Sequence, residues 1–404
     1  MESYKEGVKA KLPALTLYLG LVVIFIVFAV ICSMMGKNFL TLNNMFNIIT
    51  QASIISIIAI GASLVIVTGG IDLSVGSIVG FVGIFGGLIL KAGMPLIAMG
   101  ILCIAAGAAF GLVNGCLVSY GKVPPFIVTL GAMQIARGLA LLINGGQPIS
   151  SFPKGLGSLM ASKVLGTVPV SVIYVFVFYA VIIFVMAYTK FGRHVYAAGG
   201  NICAARLSGI NVNKTVLMVY VLSGIFAAIG GIMLLSRLTY ADPNAGSGYE
   251  MNAIASAVIG GISLSGGKGK IGNTLVGAII LSTLTCGLQI MNVATYYQTI
   301  VTGIVIIAAV FADKKRNARA SRKAKYIKYL QIKEEIDYEA KHDGNSDGIG
   351  NEHGYDGSGA ERMQRHSKGD SAGDSQRTAD RGQDRGYSRG KREGRRKQRR
   401  SGIG

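Results

Sequence analysis

Acid is what this sequence has least of. Between Leu12 and Ala312 its only carboxylates are Asp72, Asp242 and Glu250. A run of that length with so few acids is solvated by lipid rather than water, because each ionised group at bilayer depth costs several kcal/mol. Each surviving carboxylate is therefore a functional suspect. Tryptophan is absent altogether, which leaves tyrosine as the amphipathic aromatic for the membrane–water interface. Cysteine is sparse: Cys32, Cys103, Cys116, Cys203 and Cys286 show no C-x-x-C spacing and no cluster of histidines, so a metal site is excluded and small core residues are expected. No G-x-x-x-x-G-K-[ST] phosphate loop occurs, and His194 is the sole histidine of the apolar part. The chain is thus expected to have no catalytic residues, no metal and no cofactor of its own.

What is present is apolar surface and glycine. Mean hydropathy is +0.49, 51% of residues are hydrophobic and 56 are glycine. Windows long enough to span, about 20 residues each, fall at 12–34, 46–67, 73–90, 94–118, 126–143, 168–188, 215–235, 274–291 and 296–311. Residues 250–264 make a tenth element too short to span comfortably, re-entrant or tilted. The fold class is all-α: a polytopic helical membrane protein of about ten transmembrane elements. Residues 12–34 are too long for a signal-peptide core and lack a small-residue cleavage site, so they read as a retained first span. The spacing of Gly83, Gly86 and Gly87, and of Gly107 and Gly111, predicts close approach of helix backbones.

The formal net charge of +20 is uneven, because more than half of the Lys and Arg lie after Asp313. With ten elements both termini share a side, and placing them in the cytoplasm puts most loop cations there, as the positive-inside rule requires. The far side then receives Lys37, Lys91, Lys154, Lys163 and Arg237. The long loop 144–167 faces outward and the long loop 190–214 faces the cytoplasm, where loops of that length suggest docking. The domain boundary is set at 1–315 for the membrane domain and 316–404 for a basic, low-complexity tail. Residues 321–342 have the pattern of a charged helix, and 343–404 lack the apolar content to fold and read as disordered. A basic tail of this kind is more simply a solvated appendage than a nucleic-acid binder, so no nucleic-acid partner is expected.

Two strings interrupt the apolar pattern. Thr68-Gly69-Gly70-Ile71-Asp72-Leu73-Ser74 breaks a span with a glycine pair, an acid and hydroxyls, and broken backbone at membrane depth is tolerated only where protein or a water-filled cavity satisfies it. Asp72 or Ser74 either caps the next helix or lines a pathway. A related string recurs at Gly260-Gly261-Ile262-Ser263-Leu264-Ser265, consistent with a duplicated transporter fold. Its Leu264-Ser265-Gly266-Gly267 imitates the signature of ATP-binding-cassette ATPases, but without a phosphate loop it is a decoy. Arg137, with Gln134, interrupts another apolar helix, and either pairs with a carbonyl or acid or lines the pathway. Glu250 stands where it favours a helix N-terminus.

Together these strings resemble the permease subunits of ATP-binding-cassette importers for monosaccharides, of the ribose, galactoside and xylose type. The likeness runs through 68–77, Val123-Pro124-Pro125-Phe126-Ile127-Val128-Thr129-Leu130-Gly131, 136–139, Gly145-Gly146-Gln147-Pro148-Ile149, Gly192-Arg193, Gly199-Gly200-Asn201, 204–210 and the block 246–313. Arg206-Leu207-Ser208-Gly209-Ile210-Asn211 and Tyr296-Tyr297-Gln298 look most like the ribose member. The resemblance implies that an ATPase subunit seats on 196–209, with Gly192, Gly199, Asn201, Ala204, Ala205, Ser208 and Gly209 forming the coupling segment. It also implies a periplasmic or lipoprotein sugar-binding protein on a face containing Gln147, Asp242 and Glu250, a second permease copy, and a bacterial cytoplasmic membrane. Asp72, Ser74, Gln134 and Arg137 are the pathway candidates. Import of nucleosides or another furanose-like ligand, an ion-coupled secondary transporter using Asp72, and a non-transporting scaffold remain as alternatives.

Overall fold

The computed structural model describes residues 2–164 and 168–342. By contacts the chain divides into two units, Met1–Tyr326 and Ile327–Gly404. The long apolar windows fold as α1 (Glu2–Met34), α2 (Leu42–Val67), α3 (Val75–Lys91), α4 (Leu96–Ser119), α5 (Pro125–Leu142), α7 (Val170–Tyr188), α10 (Val212–Leu238), α12 (Gly272–Ile290) and α13 (Thr295–His342). Between them lie the short helices α6 (Lys154–Ala161), α8 (Lys190–Gly200), α9 (Ile202–Leu207) and α11 (Tyr249–Ile259). The all-α expectation is met, with eight helices among the described residues long and apolar enough to cross a membrane and α3 a shorter apolar helix. Two-residue strands β1 (Lys163–Val164) and β2 (Val168–Pro169) pair antiparallel.

Helix boundaries follow local chemistry. Thr41, Asn201 and Asn211 accept the backbone N–H three residues on, opening α2, α9 and α10. Pro125 supplies the preset φ of a first helical turn for α5. The last helix is continuous from Thr295 to His342, so the expected charged helix at 321–342 continues the final span. The tail 343–404, expected to be disordered, lies outside the described residues.

α2 is the hub. It packs on α7, α10, α11 and α12, and α10 also packs on α3 and α4. In lipid, helices associate by packing and interhelical hydrogen bonds rather than by hydrophobic exclusion, and both are visible here. Ser63 Oγ and Thr274 Oγ1 lie 3.1 Å apart between α2 and α12, and Tyr179 Oη donates to Ser56 O at 3.2 Å. A methyl group at Gly107 would overlap the Gly224 carbonyl, one at Gly111 the Tyr220 carbonyl, and one at Gly224 the Gly107 carbonyl, so α4 and α10 touch backbone to backbone. The predicted close approach thus holds at Gly107 and Gly111. It fails at Gly83, where an added methyl would meet nothing within 4 Å, and at Gly86 and Gly87, which meet the side chains of Cys103 and Phe152 rather than a backbone.

The cysteine expectation needs correction as well. Cys32, Cys103 and Cys286 are buried, whereas Cys116 and Cys203 are exposed. Cys116 lies in an apolar run, which in a membrane protein has a lipid face as well as a core face, and Cys203 lies outside those runs, in the short helix α9.

The loops gather at two ends. At one, Ile149 pairs with Ala241 as an isolated bridge, and Ser236 Oγ donates to Leu156 O at 2.7 Å. At the other, Tyr196 Oη donates to Gly269 O at 2.9 Å, Gly267 N donates to Val67 O at 2.8 Å, and Lys122 Nζ donates to Asn213 Oδ1 at 2.8 Å.

Candidate functional site: two broken helices and a glycine junction

α2 and α11 end with the same device. Gly69, at φ +83°, donates to Ile66 O, and Gly70 donates to Val65 O. Gly261, at φ +91°, donates to Val258 O, and Ile262 donates to Ala257 O. Only glycine enters that left-handed region without strain, and the paired bonds close both helices as Schellman caps. The resemblance between the two strings is therefore structural, although the second helix ends one residue later relative to the string. The following turns also match: Ser74 N donates to Asp72 Oδ1 at 3.0 Å, and Ser265 N donates to Ser263 Oγ at 3.3 Å. α11, at 11 residues, extends only about 16 Å and cannot cross about 30 Å of hydrocarbon. The tenth element is thus a half-helix followed by non-helical backbone.

Asp72 is 1% exposed and fully engaged. Its Oδ1 accepts Ser74 Oγ at 2.6 Å as well as Ser74 N, and its Oδ2 accepts Ser223 Oγ of α10 at 2.7 Å. Asn114 Nδ2 of α4 donates to Ser74 Oγ at 3.0 Å, and Thr129 Oγ1 of α5 reaches Ile71 O at 3.2 Å. The carboxylate therefore ties the break to α10, and through Ser74 to α4. It is not an ordinary cap, because Ser74 occupies the cap position of α3 without a side-chain bond into the helix. Beside it, Tyr220 Oη and Asn114 Oδ1 are buried without a hydrogen-bond partner among the described residues. Asn114 is the polar member of an otherwise apolar cleft of about 360 Å3 formed with Phe81, Phe110, Ala132 and Ile135.

The four pathway candidates do not form one cluster. Asp72 and Ser74 sit together, but Arg137 lies with the other two acids. Its guanidinium donates to Pro243 O and to Ala245 O, the latter at 3.1 Å, and Glu250 and Asp242 act on it electrostatically. Glycines make the room: a methyl at Gly80 would sit 2.7 Å from Arg137 Nη1, and one at Gly76 would overlap the Glu250 carboxylate. Glu250 stands in the first turn of α11 and accepts Gly248 N at 3.2 Å. Asp242 closes its own turn through Asn244 N at 2.7 Å. Gln134 is exposed on α5, and Gln147 is exposed in the 144–162 loop.

The residues expected to couple to an ATPase divide into two groups. Gly192 is packed against the Met186 backbone, Ala205 is buried, and Asn201 caps α9 through Ala204 N at 3.0 Å. Gly199 faces inward, where an added methyl would overlap the Val67 carbonyl and lie 2.7 Å from Gly267 N. Gly266 in turn lies against Gly199 O and Gly69 N. Three glycine-bearing segments, from α2, α8 and the 260–271 turn, thus cross at backbone contact. Burial pushes the Tyr196 phenol upward, keeping it a donor to this junction at neutral pH. Ala204, Ser208 and Gly209 face outward, together with Ile202 and Leu207. Leu207, 91% exposed at the end of α9, stands out only in three dimensions; its sequence signal was a large aliphatic residue in a polar loop.

Residues 44–310 match the family described as branched-chain amino acid transport system / permease component. The chain is 41% identical over 301 residues to the ribose import permease protein RbsC of Escherichia coli strain K12, covering 74% of this chain and 93% of that one. It is 41% identical over 316 residues to the ribose import permease protein RbsC of Bacillus subtilis strain 168, covering 78% and 95%. It is 38% identical over 321 residues to the galactose/methyl galactoside import permease protein MglC of Escherichia coli K12, covering 74% and 95%. No solved structure matches the chain. With a collinear match across nearly the whole of these relatives and the broken-helix architecture just described, the chain belongs to the permease-component family of the branched-chain amino acid transport system type.

Proposed function

We propose that this protein is the membrane-spanning permease subunit of an ATP-binding-cassette importer, moving a monosaccharide such as ribose or another pentose or hexose across a bacterial cytoplasmic membrane. ATP hydrolysis resides in a separate chain. The observation that carries this reading is the match, 41% identical over 93% of a ribose import permease, in a sequence with no phosphate loop. The excess of loop cations on one side supports a cytoplasmic location for both termini of the membrane domain. The clustering of the outward loops at one end and of α8, α9 and the glycine junction at the other supports that orientation.

On this reading the ATPase grips the outward face of α9, where Ile202 and Leu207 offer apolar anchors. Displacement of α8 then reaches Val67 and Gly267 through backbone contact and shifts the break at 68–74, which Asp72 holds to α3, α4 and α10. A sugar-binding protein docks on the far face, around Gln147 and Asp242. A second copy of this chain completes the pathway beside α5, whose exposed Gln134 is flanked by Gly131 and Gly138 with open space around both. Within the same class a nucleoside is the alternative cargo. An ion-coupled carrier using Asp72 finds less support, because three donors already occupy that carboxylate.

The test is uptake in proteoliposomes with the cognate ATPase and binding protein. Leu207→Asp is expected to lower ATP-driven uptake by about tenfold or more, equivalent to about 1.4 kcal/mol of docking, while the variant inserts and unfolds like the parent. Sugar uptake by this chain alone, or full coupled uptake in Leu207→Asp, overturns the reading.

A further inference from the structure

At the end of α2 remote from the glycine junction, three helices border a polar recess of about 320 Å3 that opens to the surface. Asn44, Asn47 and Gln51 line it from one face of α2, Arg237 from α10, and Gln289 and Cys286 from α12. Carboxamides three and four residues apart on a helix share one face; Asn44 is buried there, whereas Asn47, Gln289 and Arg237 are exposed and free to meet a ligand. Two are held in place. Asn44 Nδ2 donates to Phe39 O at 2.8 Å, while Gln51 accepts the Cys286 thiol at 2.8 Å and donates to Thr285 Oγ1 at 3.3 Å. The side chains of Asn47 and Gln289 make no hydrogen bond to any described residue, and no acid lines the recess.

That lining selects a ligand class. A cation meets the Arg237 charge, and beyond that one guanidinium the lining is neutral carboxamide, which offers donors and acceptors together rather than further positive charge for an anion. A hydroxyl both donates and accepts, as does a carboxamide, and a planar guanidinium forks a pair of neighbouring oxygens. The volume lies at the small end of the roughly 300–1,000 Å3 range of small-molecule sites, suited to a single sugar ring. We propose that this recess is an entry subsite for a neutral monosaccharide on the binding-protein side of the membrane, occupied before the sugar reaches the break at Asp72. The inference rests on the sugar-import reading and its orientation.

Because the chain contains no tryptophan, Ile290→Trp, on the wall of the recess, makes a single fluorescent reporter. With the full chain in lipid nanodiscs, D-ribose or D-galactose is expected to change its emission saturably, and adding Asn47→Leu and Gln289→Leu is expected to weaken that response by about tenfold or more. In reconstituted uptake, the Asn47→Leu/Gln289→Leu pair without the reporter should raise KM for sugar by a similar factor with kcat near the parent. An unchanged KM in that pair overturns the subsite. So does saturation by inorganic phosphate, or by phosphatidylglycerol in the nanodisc, in place of sugar, which marks an anion site. If the parent complex carries no sugar, the titration alone decides: saturation keeps the subsite while the import reading falls, and a flat response overturns both.

Discussion

Asp72 accepts three hydrogen bonds in a site closed to solvent, two from Ser74 and one from Ser223. Its removal should therefore be read by how many donors it orphans. Asp72→Asn keeps one acceptor oxygen and the size of the side chain, so a loss of about 1–2 kcal/mol is expected, with ATP-driven uptake largely retained. Asp72→Leu leaves the Ser74 and Ser223 groups buried without an acceptor, at about 1–3 kcal/mol each, and should lower the unfolding temperature in detergent far more. Equal destabilisation by the two variants, or abolition of transport by Asp72→Asn in a protein of unchanged stability, contradicts the bracing role. The sequence marked Asp72, Arg137 and Glu250 as unusual because charge is rare in an apolar run. It did not reveal their partners, because Ser223 lies 151 residues from Asp72 and the Pro243 carbonyl lies 106 residues from Arg137.

Among elements, the α4–α10 crossing and the glycine junction are the two places where backbones meet. Gly224→Val inserts branched bulk against the Gly107 carbonyl, and overpacking of this kind costs about 1–3 kcal/mol or more. Loss of folded protein or a clear fall in thermal stability is expected, whereas Gly83→Ala, whose methyl meets nothing within 4 Å, should be nearly silent. The comparison is made by thermal unfolding of the two variants in one detergent. Gly199 belongs to the same category: a large residue there collides with Val67 of this chain before it can affect a partner, so Leu207 is the cleaner probe of docking. Spans and breaks were legible because they depend on neighbours in sequence, whereas the caps at Thr41, Asn201 and Asn211 drew no expectation. Helix faces were not legible, since helices that are apolar nearly all round, such as α4 and α10, carry little amphipathic signal to say which side meets protein and which meets lipid.

For the whole molecule, the match to the family ends at residue 310, and α13 continues to His342. A chain stopped after Arg316 retains the basic flank that fixes orientation and every residue of the break, the junction and the polar recess. Its sugar uptake, measured with the same ATPase and binding protein, is expected to match the full chain. Background uptake by a correctly inserted truncation assigns the remaining residues a part in transport.

The sequence by itself determined that this protein lives in lipid, where its apolar spans fall, and where two of them break. Transfer from water to hydrocarbon is summed residue by residue, and capping is a matter of a few adjacent side chains. Only the tertiary structure decided that Asp72 braces three helices, that Arg137 sits with Asp242 and Glu250 rather than with Asp72, and that α8 rests on the end of α2. It also brought Asn47, Arg237 and Gln289 around one recess. These arrangements depend on which small faces pack together, and in a bilayer that choice is made by shape and by the satisfaction of buried polar groups rather than by hydropathy.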